Sequence, residues 1–209
     1  MEPGLERADD ATILAAMRNF DLERPWKMAR HHVVPMLPRA RPYPVAINEP
    51  VRAMLPPGIL VGFGIDIGPA LTMIDRSQLE RWAIDVDTLT AQALENVQRL
   101  AALCDPGLVI RDRTGPVPVA ALQTRVGIAA VLLLVPSLLE RFFGREPAFF
   151  LAPMRDLLLA LPADVDRGEA AWLAEEWEAL DPNSLHLGGF AWDVDRIIPE
   201  ALDEAVASA

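Results

Sequence analysis

Gly58-Ile59-Leu60-Val61-Gly62-Phe63-Gly64-Ile65-Asp66-Ile67-Gly68-Pro69-Ala70-Leu71-Thr72-Met73-Ile74-Asp75-Arg76-Ser77-Gln78-Leu79-Glu80 decides the fold. Two β-type runs, Ile59–Ile65 and Ala70–Ile74, flank Asp66-Ile67-Gly68-Pro69, where glycine and proline supply the backbone angles of a turn. So short a connection permits only antiparallel pairing, because a parallel crossover takes about a dozen residues or more. Asp75 and Ser77 then offer helix caps, and Ser77 with Glu80 has capping-box spacing, which predicts a short helix ending near Trp82.

The same grammar repeats downstream. Asp85 caps a helix whose apolar stripe is Val86, Leu89, Ala93, Val97, Leu100 and Cys104, and Asp105-Pro106-Gly107 ends it. Leu108–Asp112 and Val117–Leu122 form a second hairpin across Arg113-Thr114-Gly115-Pro116. Val126–Phe143 reads as a buried helix kinked near Pro136, or as a strand followed by a helix that starts at Pro136. Phe149–Ala152 and Leu157–Leu161 make a third strand pair. Glu169–Leu180 is an acidic amphipathic helix with Trp172, Leu173 and Trp177 toward the core. Leu185–Trp192 is a last strand, interrupted by Gly188-Gly189. Strand-strand-helix units of this kind predict an α+β fold: an antiparallel sheet built from β-hairpins, with helices packed on one face.

Upstream, Asp9–Phe20 reads as a short helix, with Ile13, Leu14, Met17 and Phe20 on one side. Residues 25–57 are rich in proline, which predicts extended segments, with strands at His31–Met36 and Pro44–Ile47 near a sheet edge. The chain therefore divides into an N-terminal helix and proline-rich segment packing on the domain (1–57), a single α+β domain (58–198) and an acidic tail (199–209), expected to be a frayed helix.

The 209 residues are 52% hydrophobic and 23% charged, a balance that excludes global disorder. Nineteen basic against 30 acidic side chains give a net charge of −11, which repels nucleic acid and anionic membranes. Cys104 is the single cysteine, so neither an intrachain disulfide nor a multi-cysteine zinc site can form. The apolar stretch Val126–Val135 is shorter than the roughly 20 residues of a membrane-spanning helix. Met1-Glu2-Pro3-Gly4-Leu5-Glu6 lacks the apolar run of a secretory signal, so a cytoplasmic location is the expectation.

Phe63-Gly64-Ile65-Asp66-Ile67-Gly68, Ile74 to Glu80, the helical series Leu89, Ala93, Asn96, Val97 and Leu100, and Pro153-Met154-Arg155-Asp156-Leu157-Leu158-Leu159 form an ordered set. With Gly188-Gly189-Phe190, this set resembles the YtpQ-like family of bacterial proteins, a family built on a domain of unknown function, over residues 58–195. The resemblance implies fold more than function. Its matched residues look like turn, cap and core positions.

Each chemical candidate has a structural counterpart. Gly62, Gly64 and Gly68 lack the spacing and the following helix of a dinucleotide loop, and hairpin or bulge is the expectation. His31 and His32 would point to opposite faces of a strand, so they do not chelate together. Asp66 and Asp75 could act as paired carboxylates, or serve as turn and cap. Arg155 with Asp156 could hold a carboxylate or phosphate, or pair internally. Asn96 lies beside the main helical stripe, where it would tie a loop to the helix or meet a ligand. Asp105 beside Cys104 would raise the thiol pKa and leave a core cysteine. Ser137 lacks the glycines of a nucleophile elbow. Glu169, Glu175, Glu176, Glu178 and Asp181 form an acidic face, solvated or docked to a basic partner, and Trp172, Trp177 and Trp192 could stay partly exposed and anchor such a partner.

The binding candidates are thus Asp66, Asp75, Arg155, Asp156, Asn96, Trp177 and Trp192, with no metal or cofactor called for. No constellation stands out as catalytic. The expected function is a non-catalytic protein-binding or accessory module that engages another protein or itself. The alternative is an enzyme with a carboxylate and arginine pocket made by Asp66, Asp75 and Arg155.

Overall fold

The computed structural model describes residues 24–38, 49–56, 58–66, 71–181, 184–193 and 196–202. The helix expected at 9–20, the strand at 44–47, the turn at 67–69 and the last part of the tail lie outside these residues. One helical turn, α1 (Trp26–Ala29), passes through a 3-10 turn into β1 (Val33–Met36), followed by β2 (Arg52–Leu55), β3 (Ile59–Asp66) and β4 (Leu71–Met73). Next come α2 (Arg76–Trp82), α3 (Val86–Ala102), β5 (Ile110–Thr114) and β6 (Val117–Leu122). The chain continues with α4 (Pro136–Phe143), β7 (Ala148–Met154), β8 (Leu157–Pro162), α5 (Arg167–Glu178), β9 (Gly189–Asp193) and β10 (Arg196–Glu200).

The fold is α+β and its strand pairing is antiparallel throughout, with the strands divided between two sheets. β3 is the spine of the smaller one. β1 runs along one edge, with Val33 opposite Ile65 and Met36 opposite Gly62. β2 and β4 share the other edge, β2 opposite Ile59 to Gly62 and β4 opposite Gly64 to Asp66. Two pieces of the proline-rich segment therefore flank the central strand. The larger sheet has the order β10-β9-β7-β8-β6-β5.

Side-chain alternation sorts the larger sheet into two apolar cores. Phe150, Ala152, Leu158, Ala160, Phe190 and Trp192 face a core shared with α3, α4 and the inner residues Val61, Phe63 and Ile65 of β3. Phe149, Leu151, Leu157, Leu159 and Leu161 face the other side, against Ala170, Leu173 and Ala174 of α5. Both faces of β7 and β8 are thus buried, which is why these strands read as unbroken apolar runs.

Caps set the helix starts. Asp75 accepts from the Gln78 amide at 2.9 Å and Asp85 from that of Thr88 at 2.8 Å, so the α2 cap is Asp75 rather than a Ser77 box. Ser77 instead donates to Asp75 at 2.7 Å. The Thr88 hydroxyl and amide hold the Asp85 carboxyl below its ordinary pKa. Within Val126–Phe143 the helix α4 starts at Pro136, as the second reading had it, where its missing N–H costs nothing, but Ala130–Leu134 before it is a 3-10 helix rather than a strand. The tail also departs from the expected helix. Pro199 and Glu200 belong to β10, and Leu202 is buried in the second core.

Candidate functional site

The tight turn between β7 and β8 brings together more of the sequence candidates than any other place described. Arg155 reaches back to Asp66 at the end of β3, 3.2 Å away, and so links the two sheets. Its guanidinium lies against Gly127, where φ is +75° and an added Cβ would stand 2.8 Å from a guanidinium nitrogen. Only glycine suits that position. Asp156 turns the other way. It accepts the Arg125 amide at 2.7 Å, the Thr124 amide at 3.2 Å, the Ala129 amide at 3.3 Å and the Thr124 hydroxyl. The Ala130 amide donates to the Arg155 carbonyl at 3.1 Å. The turn thereby fixes the 124–130 loop that carries the chain into the core.

The remaining candidates lie elsewhere. Asp75 caps α2, four residues along from the partner of Asp66, which places the two backbones about 13 Å apart along the sheet. Asn96 is buried and donates to the carbonyls of Arg30 at 2.6 Å and Val33 at 2.8 Å, tying β1 to α3. Trp192 is 2% exposed in the first core, against Phe150, and is no surface anchor. Trp177 is half-buried against the second core. Trp172, read from the sequence as a core residue or a partly exposed anchor, is 48% exposed. Cys104 is buried, and its pKa is raised by burial first and by the charge of Asp156 second, whereas the sequence pointed to Asp105. His31 and His32 lie in the 3-10 turn before β1 rather than on a strand.

A second cluster was missed in the sequence. Glu178, the last residue of α5, pairs with His186 Nδ1, and His186 Nε2 lies 2.8 Å from the Ser184 hydroxyl. With Nδ1–H donated to the carboxylate, Nε2 is left to accept from the serine. Burial raises the Glu178 carboxyl above its ordinary pKa, opposed by the attraction of His186. His186 adopts φ +49°, a strained setting for a non-glycine residue. This is the connectivity of a serine, histidine and carboxylate triad. The amides of Ser184 and Leu185, however, already donate to Asp181 at 3.0 Å and Pro153 at 2.9 Å, so neither is free to bind an oxyanion. The only sequence signal was a serine two residues before a histidine, just beyond an acidic helix.

A cleft of about 270 Å³ opens between the larger sheet and the end of α4, lined in part by Arg111, Ala120, Phe143, Glu146 and Ala160. None of the sequence candidates lines it. Among the described residues no cluster of His, Cys, Asp and Glu could hold a metal ion, and no helix is long and apolar enough to cross a membrane. No family model, curated protein or solved structure matches this chain.

Proposed function

We propose that this chain is a non-catalytic protein-binding or accessory module acting in the cytoplasm. One observation carries the reading. On the outer face of the smaller sheet, Met54, Met73 and Leu60 stand in solvent at 64%, 42% and 37% exposure. Met54 and Leu60 are direct cross-strand partners, and Met73 lies opposite Gly64 on the same face. Methionine is flexible and polarizable, so it moulds to an apolar partner surface at little cost. A cluster of exposed large apolar side chains on one face is the mark of an interaction surface. The polar candidates fit the same reading, since Asp75, Asn96, Asp156 and the Arg155–Asp66 pair hold caps, turns and strand ends. The resemblance to the YtpQ-like family belongs to this proposal, because the residues that carry it are those scaffold positions.

A photo-crosslinking amino acid placed at Met54 or Met73 tests the reading in cells, with the exposed Glu95 of α3 as control. A discrete adduct from the sheet positions and none from Glu95 is the expected result. Equal labelling from all three positions would sink it.

The enzyme alternative draws its support from Ser184, His186 and Glu178 rather than from Asp66, Asp75 and Arg155. A fluorophosphonate probe decides it. The binding-module reading predicts no adduct on Ser184, and a stoichiometric adduct abolished by His186→Ala would replace that reading with a serine hydrolase.

A further inference from the structure

The larger sheet ends at β5, whose sequence is Ile110-Arg111-Asp112-Arg113-Thr114. Among the described residues β5 pairs only with β6, and Ile110 to Arg113 are all exposed. An edge strand in this state offers backbone donors and acceptors to an extended chain, although the Arg113 amide is already held by the Asp112 carboxylate. Arg111 and Arg113 point to one face, above Ala120 and Pro118, and both Arg111 and Asp112 line the cleft to which Phe143 and Glu146 also contribute. Ile110, Asp112 and Thr114 point to the other face, as alternation requires. The Arg113 guanidinium donates to the Pro116 carbonyl, and the Asp112 carboxylate accepts the Arg113 amide at 2.8 Å.

Symmetry argues against a second copy as the occupant. Two identical edge strands that continue a sheet antiparallel are related by a two-fold axis perpendicular to it, which keeps each side chain on its own face. Odd positions then meet odd positions. Centring the axis on Asp112 sets Arg111 against the partner copy's Arg113; centring it on Arg111 or Arg113 sets that arginine against itself; centring it on Ile110 or Thr114 avoids the clash but leaves a single β5 residue of each copy opposed. Like charges directly opposite are destabilising. The same two arginines favour a strand that brings carboxylates to alternate positions, a local attraction that acts against the repulsion of a chain whose net charge is −11.

We infer that the β5 edge is a strand-addition site for an extended segment of another protein with acidic residues at alternate positions, facing Arg111 and Arg113, and an apolar residue facing Ile110. The inference rests on the protein-binding reading but uses a surface separate from the methionine face. Antiparallel to β5, the complementary segment reads Thr-Glu-Lys-Glu-Val. A fluorescein-labelled peptide centred on that sequence provides the probe, followed by anisotropy at low salt.

Binding to the wild-type chain is expected, with R111E/R113E weakening it by about tenfold or more. The reversed peptide, Thr-Lys-Glu-Lys-Val, should prefer the R111E/R113E variant, a swap that damage to the fold cannot produce. N-methylation of the peptide's paired amides should abolish binding, because strand addition depends on main-chain hydrogen bonds. The inference is overturned by equal binding of both peptides, by no binding of either, or by a wild-type dimer that R111E/R113E dissolves. If the peptides fail while crosslinks at Met54 persist, the edge inference falls and the binding-module reading stands. If both fail, both fall.

Discussion

Asn96 satisfies two main-chain carbonyls with one buried amide, so its loss is felt where β1 meets α3. Asn96→Ala leaves the carbonyls of Arg30 and Val33 without that donor and should cost about 1–3 kcal/mol, read as a shifted urea midpoint with an unchanged slope. A midpoint within error of wild type would show that the two bonds do not bear on stability. Cys104 gives a second test at this scale. Burial and the Asp156 charge raise its pKa, so the folded protein should resist iodoacetamide at pH 8 and react once unfolded in urea. Rapid alkylation of the native protein would contradict that environment. Residue roles set by local sequence were legible: Asp75 and Asp85 sit before their helices, and capping acts within one turn. Trp192 was not legible, because its place inside the core follows from pairing with Ala148 of β7, more than forty residues earlier.

At the scale of elements, the turn between β7 and β8 is the junction on which two other segments depend. Asp156→Asn removes the charge that gathers three amides and a hydroxyl, and turns part of the acceptor into a donor. Hydrogen exchange should then speed up across residues 124–130 while α3 and β7 keep their protection. Unchanged exchange in that loop would remove Asp156 from the role of organiser. The hairpins could be read from sequence because their turns are short and their partners adjacent. The division into two sheets could not, because β6 meets β8 across the whole of α4 and β7. The Val126–Phe143 segment resisted reading for another reason. Its first part, Val126–Val135, is apolar on all sides, so periodicity there cannot tell helix from strand, and only Pro136 marks a boundary. Gly189 shows the same limit. It marked an interruption, but the cause is the Phe149 ring, which lies 1.9 Å from where a Cβ would be. Gly189→Ala should therefore destabilise the protein by at least about 2 kcal/mol in thermal or urea melts, whereas a neutral effect would mean that the ring moves aside freely.

At the scale of the whole molecule, two properties meet. The polar groups that resembled a site are engaged in holding the two sheets, the loop and the helices together. The surface carries exposed methionines on one sheet and an arginine-bearing open edge on the other. Neither property was available from composition, because the outward residues of β2, β3 and β4 become one face only after pairing. Native mass spectrometry of the untagged protein, purified gently from its own host beside a Met54→Glu/Met73→Glu variant, tests the central claim most directly. The account predicts a co-purifying polypeptide on the wild-type chain that the variant lacks, with no small-molecule mass on either. A monomer carrying the same stoichiometric small-molecule mass in both would contradict it.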